Sequence, residues 1–272
     1  MRLSMSNIAW EVDEDEQMAE ILQQAGLQFV DLAPGKYFPN PEATSAGDVA
    51  RVRDAWGARG FQVWGLQALL FGSTDLNLFA DGDDAMFNRL CCVCDIAAGL
   101  GARTLTFGSS RQRDRSGLED SAADRLATKF FRRLGDKAVQ AGVTICLEPN
   151  PAIYDCNYLT HTDEAAEAVL RIDHPAVRLQ LDVGAIALNG EDPTAVIERW
   201  AALIGHVHAS EPQLVTLGDG GAPHAAAGAA LSRVRPDVVV TIEMAASTTE
   251  PHSSAVKRSL ELAELAYGSP WP

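Results

Sequence analysis

Cysteines, cations and long apolar runs are all scarce in this chain, and each shortage excludes a class of protein. The five cysteines are odd in number and are not spread as a disulfide framework, which predicts a reducing, cytoplasmic location. The 22 Lys and Arg residues are outnumbered by 37 Asp and Glu residues, so we expect no nucleic-acid partner, which would need clustered cations. We expect no membrane partner either, because no apolar run reaches about 18 residues and residues 1–17 lack the apolar core of a signal peptide.

Short apolar runs alternate with amphipathic segments along the whole chain, without a linker or a break in composition. This alternation is typical of strand–helix units that build a parallel sheet. The predicted strands are 3–9, 29–33, 62–70, 104–108, 143–148, 178–183, 205–210 and 238–243. The predicted helices are 14–25, 47–59, 83–100, 119–141, 162–171, 193–203, 224–233 and 251–266.

Eight strands and eight helices in a chain of 272 residues predict a single (β/α)8 TIM barrel that occupies residues 1–272. An open doubly wound sheet is the alternative fold. It would carry a glycine fingerprint after its first strand, and the segment SNIAWEVDE that follows here contains no glycine. The closed barrel is therefore the favoured fold.

Metal-binding residue types end four successive predicted strands in the second half of the chain. The strands read VTICLE, VRLQLD, GHVH and VVVTIE, and their last residues are Glu148, Asp182, His208 and Glu243. In a parallel barrel the carboxyl ends of the strands meet at one rim, where this fold carries its chemistry. A lone carboxylate at a strand end is more often a helix cap. Four ligand-type residues together favour a site for one divalent metal ion, Mn²⁺ first, with Mg²⁺, Co²⁺ or Zn²⁺ as alternatives.

Other polar residues lie near the same rim and are candidate substrate contacts. Arg111 and Arg113 form the densest cationic cluster near the predicted mouth, and they suit a phosphate or carboxylate group. A solvated loop is the competing interpretation of that cluster. Asp31, in the second predicted strand, has the same two interpretations. The full set of predicted substrate-binding residues is Gln67, Arg111, Arg113, Asn150, His206 and Glu211.

The segments around the four strand ends resemble the xylose isomerase-like TIM-barrel superfamily. The resemblance rests on LEPN at Glu148, LD at Asp182, HVH at His208 and IEM at Glu243, and it is greatest to the sugar phosphate isomerase/epimerase group that includes D-tagatose 3-epimerase. It implies that these four residues hold one divalent metal, which the carbonyl and hydroxyl oxygens of a small carbohydrate chelate. It also implies that Glu148 and Glu243 are the catalytic residues, which move the proton next to the carbonyl through a cis-enediolate.

Two positions depart from the epimerase pattern and leave the substrate open. Ala185 stands where the resemblance implies a substrate-binding His, and Leu214 stands where it implies an Arg. A metal-dependent isomerase or epimerase of a sugar or sugar derivative is the leading prediction. The alternatives are a metal-dependent dehydratase of a keto-polyol, as in the inosose dehydratase branch, and a non-catalytic metal-binding partner subunit. Because barrels of this kind often assemble, a homo-oligomer is also expected.

Overall fold

The eight predicted strands close into one parallel barrel in the computed structural model, which describes residues 1–80 and 84–268. Each strand pairs in parallel with the next along the chain, and the last strand pairs with the first. The predicted TIM barrel is thus confirmed. The strands are β1 Arg2–Ser6, β2 Phe29–Leu32, β3 Gln62–Leu66, β4 Thr104–Phe107, β5 Thr144–Leu147, β6 Val177–Asp182, β7 Ile204–Ser210 and β8 Val239–Glu243.

The helices pack around the outside of this barrel. Within the described ranges they are α1 Asp15–Gln24, α2 Ala46–Ala58, α3 Ala85–Leu100, α4 Asp120–Ala141, α5 Thr162–Ile172, α6 Val183–Asn189, α7 Pro193–Trp200, α8 His224–Val234 and α9 His252–Tyr267. Residue 83, the predicted start of the third helix, lies outside the described residues. Helix α6 was not predicted, because its seven residues follow β6 without any loop.

Two predicted strands, 3–9 and 62–70, extend well beyond the carboxyl ends of β1 and β3. Residues 7–9 form a 3-10 turn rather than the end of β1. After β3, Ala68 has a φ of 52°, which breaks the strand although the apolar run continues through the buried Leu69 and Leu70. Hydrophobicity persists here because the loop itself packs into the core, so the apolar pattern alone could not locate the end of the strand.

Apolar and polar residues separate into two layers, one outside and one inside the barrel. Helix α4 buries Ala127, Phe131, Leu134 and Ala138, a helical spacing that covers the outer face of the strands. Inside, His206 Nδ1 lies 3.2 Å from Gln180 Oε1, and its Nε2 lies 3.0 Å from Thr241 Oγ1. The alternation of side chains along the strands predicts these inward directions, and the contacts confirm them.

Within residues 1–80 and 84–268, no helix combines the length and the apolar character that a bilayer crossing needs.

Candidate metal centre

The four predicted metal ligands converge at the carboxyl rim of the barrel. Asp182 and Glu243 are the last residues of β6 and β8, and Glu148 directly follows β5. His208 lies two residues before the end of β7 and pairs in register with Asp182. One potential ligand atom from each of the four lies within 4.8 Å of all the others. The barrel therefore assembles three carboxylates and one imidazole, which are distant in sequence, into a single cluster.

His208 lies between two of the carboxylates and beneath the surface of the cluster. Its Nδ1 is 3.1 Å from Glu148 Oε1 and 3.1 Å from Glu243 Oε2. The imidazole is fully buried, whereas the three carboxylates are about one tenth exposed and line the cavity above it. A ring nitrogen that faces two carboxylate oxygens has the neighbours expected of a metal ligand, with the cation in the place of a shared proton.

Asp182 is fixed by contacts to both of its carboxylate oxygens. Oδ1 accepts a hydrogen bond from the backbone N–H of Ala185 at 2.6 Å, which caps the start of α6. Oδ2 accepts a hydrogen bond from the hydroxyl of Ser210 at 2.6 Å, and the same hydroxyl accepts from the N–H of Gly184 at 3.0 Å. Asp182 thus combines the helix-cap role with the predicted ligand position. Ser210 was not predicted as a site residue, although the alternation of side chains along β7 places it on the same inward face as His206 and His208.

Electrostatics within the metal-free cluster favour bound protons. Burial, together with the neighbouring Glu148 and Glu243, raises the pKa of Asp182 to about 8. Burial also raises the pKa of Glu148 above its ordinary value of 4.5. Burial alone would lower the pKa of His208, but Glu243 and Glu148 raise it well above 6.5. Concentrated negative charge of this kind is relieved when a cation binds and the protons leave.

Two of the predicted substrate contacts hold the rim together as well as lining the cavity. Gln67 donates from Nε2 to Glu243 Oε1 at 2.7 Å, which fixes the direction of that carboxylate. Asn150 donates from Nδ2 to the carbonyl of Gly108 at 2.7 Å. Arg111 also lines the cavity, and its side chain is 81% exposed, 3.5 Å from Asp155. These residues are placed where a bound molecule would reach them.

Arg113 and His206 correct the sequence prediction, because neither side chain reaches the cavity. Arg113 is fully buried, and its Nη1 donates to the backbone carbonyl of Glu148 at 2.8 Å. His206 is equally buried, and its ring stacks edge-on beneath His208 with a centroid distance of 5.1 Å. Both contact residues of the predicted ligand set, Glu148 and His208, instead of lining the cavity.

Glu211 stabilises the loop that follows β7. Its Oε1 accepts from the N–H of Gly218 at 2.7 Å, and its Oε2 accepts from the N–H of Ala222 at 2.8 Å. His224 Nε2 is a further neighbour at 3.2 Å. The residue borders the cavity, but its carboxylate oxygens are occupied by this loop, so a substrate contact by Glu211 stays a prediction.

A cavity of about 710 Å³ opens above the metal centre. Its floor carries the three carboxylates, and its outer wall is partly apolar, with Ile8 and Leu70 among the lining residues. Gln213 and Leu214, which also line it, have positive φ values of 61° and 54°. Strained backbone of this kind is concentrated at functional sites, and the volume is in the range of small-molecule sites.

The donor set fits a divalent metal ion. Three carboxylates and one imidazole supply hard oxygen and borderline nitrogen ligands, and the cluster lies at the floor of a cavity that a small molecule can enter. These residues would hold the ion while leaving one side of it toward the cavity.

Metal affinity is expected to rise with pH between about 6 and 8. Asp182, with its pKa of about 8, and His208, whose pKa is also raised, must release protons before they bind a cation. Affinity should therefore increase up to about tenfold per pH unit for each proton released. Calorimetric titration with Mn²⁺ at several pH values, in buffers of different protonation enthalpy, measures both the affinity and the protons released. An affinity that is flat across this range contradicts the expectation.

The stability of metal-free protein should change with pH in the opposite direction. The pKa of Asp182 is higher in the folded state, so this group stabilises the fold at a pH below its ordinary pKa of 3.8, and the contribution is lost as the pH rises through about 8. The melting temperature of chelator-treated protein should therefore decrease as the pH rises from 3.8 to about 8. The Asp182→Asn variant, which cannot ionise, should show a smaller fall. An equal fall in both proteins would assign the effect to the net charge of −15 instead.

Comparison with known proteins agrees with this architecture. The family profile of xylose isomerase-like TIM barrels matches residues 19–265. The rhizopine catabolism protein MocC of Rhizobium meliloti is 24% identical over 229 residues, which cover 78% of this chain and 64% of that protein. Inosose dehydratase of Lacticaseibacillus casei is 32% identical over 98 residues, which are 35% of this chain and 30% of that enzyme. The chain thus spans less than two thirds of the length of these curated relatives.

A solved structure shares the whole fold. D-psicose 3-epimerase of Clostridium cellulolyticum H10, crystallised with D-tagatose, superposes with a TM-score of 0.80 at 17% identity, over 98% of this chain and 99% of that one. At this identity the likeness concerns the fold, and the family assignment rests on the profile match across almost the entire barrel. The chain belongs to the xylose isomerase-like TIM barrel family.

Proposed function

We propose that this protein is a metal-dependent isomerase or epimerase that moves the proton next to the carbonyl of a sugar or sugar derivative. The observation that carries the proposal is the pair Glu148 and Glu243, two carboxylates that both flank His208 at 3.1 Å on the floor of the cavity. When bound, a divalent metal would act as a Lewis acid that stabilises the negative charge developing on the substrate carbonyl oxygen. The likeness to D-psicose 3-epimerase supports this choice of reaction.

The protein's own residues would carry the proton transfers. Burial raises the pKa of Glu148, which suits a group that must hold a proton during turnover near neutral pH. Glu243 keeps a fixed direction through its hydrogen bond from Gln67. In the proposed reaction one of the two carboxylates removes the α-proton to give a cis-enediolate, and the other returns a proton.

A dehydratase of a keto-polyol is the second candidate. It is supported by the similarity to inosose dehydratase and by Ala185 and Leu214, which replace the polar groups that the epimerase resemblance implies. The first chemical step would be the same removal of the α-proton. The enediolate would then lose its β-hydroxyl group, which would take a proton from one of the two carboxylates and leave as water, instead of being reprotonated at carbon.

Deuterium exchange tests the proposal. Protein loaded with Mn²⁺ is incubated in D₂O with ketoses, ketose phosphates and inososes, the metal is removed, and the products are examined by NMR. Metal-dependent deuterium at the carbon next to the carbonyl, together with a second epimer or isomer, is the expected result. An unsaturated product with loss of water would establish the dehydratase. Absence of exchange with every compound, while the metal is bound, would support a non-catalytic role.

A further inference from the structure

Two buried polar atoms beneath the metal centre have no hydrogen-bond partner among the described residues, namely His208 Nε2 and Asp31 Oδ2. Both side chains are completely enclosed. Asp31, His206 and His208 each offer one ligand-type atom, and these atoms lie within 4.8 Å of one another. An unsatisfied buried polar group costs about 1–3 kcal/mol. A donor-type and an acceptor-type atom left over within one three-residue cluster therefore call for a common explanation.

The barrel makes a specific place for Asp31. Its Oδ1 accepts a hydrogen bond from the hydroxyl of Ser4 at 3.0 Å. A Cβ atom at Gly65 would come within 2.4 Å of Asp31 Oδ2, so only glycine leaves room for this carboxylate. The register of β2 against β3 also shifts between Val30 and Asp31. The inward carboxylate is thus built into the strands, and the rim contact with substrate considered for Asp31 from the sequence is corrected.

His206 does not account for the unpaired oxygen. Its Nε2 lies 3.3 Å from Asp31 Oδ2, but the two atoms do not form a hydrogen bond. Both ring nitrogens of His206 already have neighbours, Gln180 Oε1 at 3.2 Å and Thr241 Oγ1 at 3.0 Å. Of the ring nitrogens of His206 and His208, only Nε2 of His208 has no hydrogen-bond partner.

The chemistry of the imidazole decides what that nitrogen carries. Nδ1 of His208 faces Glu148 and Glu243 on the ligand side of the cluster. A neutral imidazole that binds a cation through Nδ1 keeps its single proton on Nε2. Metal-binding histidines usually donate this second N–H to a carboxylate, a carbonyl or water, which fixes the tautomer and the ring direction.

We infer that Asp31 is the acceptor for the Nε2 proton of His208 through one buried water, and that it is a positioning residue for metal binding. The inference rests on the metal site of the proposed function. Asp31 touches neither the metal nor the substrate. It makes Nδ1 a better ligand by withdrawing the proton to the opposite side of the ring and by polarising that N–H.

Metal affinity of the Asp31→Asn variant tests this role without any measurement of activity. The variant keeps the size of the side chain and removes its charge, and Mn²⁺ should bind about 10- to 100-fold more weakly than to the wild type. The matched control is Thr162→Val, which removes a buried and unpartnered hydroxyl at the start of α5, outside the cavity lining. Its Mn²⁺ affinity should equal that of the wild type. Equal affinities in all three proteins would overturn the inference.

A spectroscopic measurement on the wild type avoids any loss of folding in the variant. In protein labelled with ¹⁵N-histidine and loaded with Zn²⁺, the proton of His208 should reside on Nε2 and exchange slowly with solvent. A proton on Nδ1, or none on Nε2, would overturn the inference even if Asp31→Asn does not fold. Failure of the wild type to bind any divalent metal is a different result, because it would overturn the proposed function itself.

Discussion

Replacing Glu243 by Gln is expected to lower turnover about 10²- to 10⁴-fold while the barrel stays folded. The amide has the size of the carboxylate and can still accept the hydrogen bond from Gln67. It cannot remove a proton near neutral pH. Glu148→Gln should have an effect of the same order for the same reason. Turnover is measured by NMR at a Mn²⁺ concentration that saturates each variant, so that weaker metal binding is not mistaken for loss of the base.

The two variants should also differ from each other if Glu148 and Glu243 reach opposite faces of the substrate. If one carboxylate serves each epimer, then each variant retains the base for one epimer only. Glu148→Gln should then exchange the α-proton of one epimer, Glu243→Gln should exchange that of the other, and neither should interconvert them. The control is Glu191→Gln, the same change at a loop carboxylate outside the cavity lining, which should leave turnover unchanged. Full activity in Glu148→Gln or Glu243→Gln would contradict the two-base mechanism.

The sequence predicts the cluster because the barrel fold brings the ends of consecutive strands close together in space. Glu148, Asp182, His208 and Glu243 end or nearly end consecutive strands, and parallel strands in a closed barrel bring these ends to one rim. Alternation along β7 then places a further inward residue, Ser210, against Asp182. The direction of a strand and the alternation of its side chains between two faces are local properties, so they can be predicted from the sequence.

Loops do not follow such rules, and the error for Arg113 lies there. Arg111 and Arg113 have the same chemistry and are two residues apart, yet one is exposed and the other is fully buried against the carbonyl of Glu148. Glu211 lines the cavity as predicted for a substrate contact, and the sequence does not indicate that it also supports the backbone of its own loop. The direction of each side chain depends on tertiary contacts between segments that are distant in the chain. No periodic pattern encodes those contacts.

The same distinction applies to the substrate. The floor of the cavity is specified by strand ends, whereas its outer wall is built from the start of α6 and from the segments that contain Leu214 and the exposed Phe71. In the proposed reaction, the strand ends would set which bond is activated, and the outer wall would set which molecule presents that bond. The polar groups of the outer wall do not identify one carbohydrate, so the substrate is sought with a panel of ketoses, ketose phosphates and inososes.

Gly108→Ala is expected to disable the metal centre from a position that carries no functional group. A Cβ atom there would lie 1.8 Å from Glu148 Oε2 and 3.0 Å from its Cδ, so the carboxylate must move. The residue follows β4 and does not have a positive φ, which means that alanine fits the backbone and only the contact with Glu148 is disturbed. A displacement of about 1 Å in a catalytic group can cost about 10²-fold in rate. Turnover should fall by that order, and Mn²⁺ affinity should fall with it.

The melting temperature distinguishes this local effect from unfolding. Because Glu148 can swing toward the cavity that it lines, Gly108→Ala should melt close to the wild type in the absence of metal. Gly57→Ala is the matched control, since no atom lies within 4 Å of its added Cβ and the residue is inside helix α2. It should gain about 0.5–1 kcal/mol of stability and keep full activity. Wild-type turnover and metal affinity in Gly108→Ala would mean that Glu148 acts from a different position, and the proposed pair of bases would then lose its geometric basis.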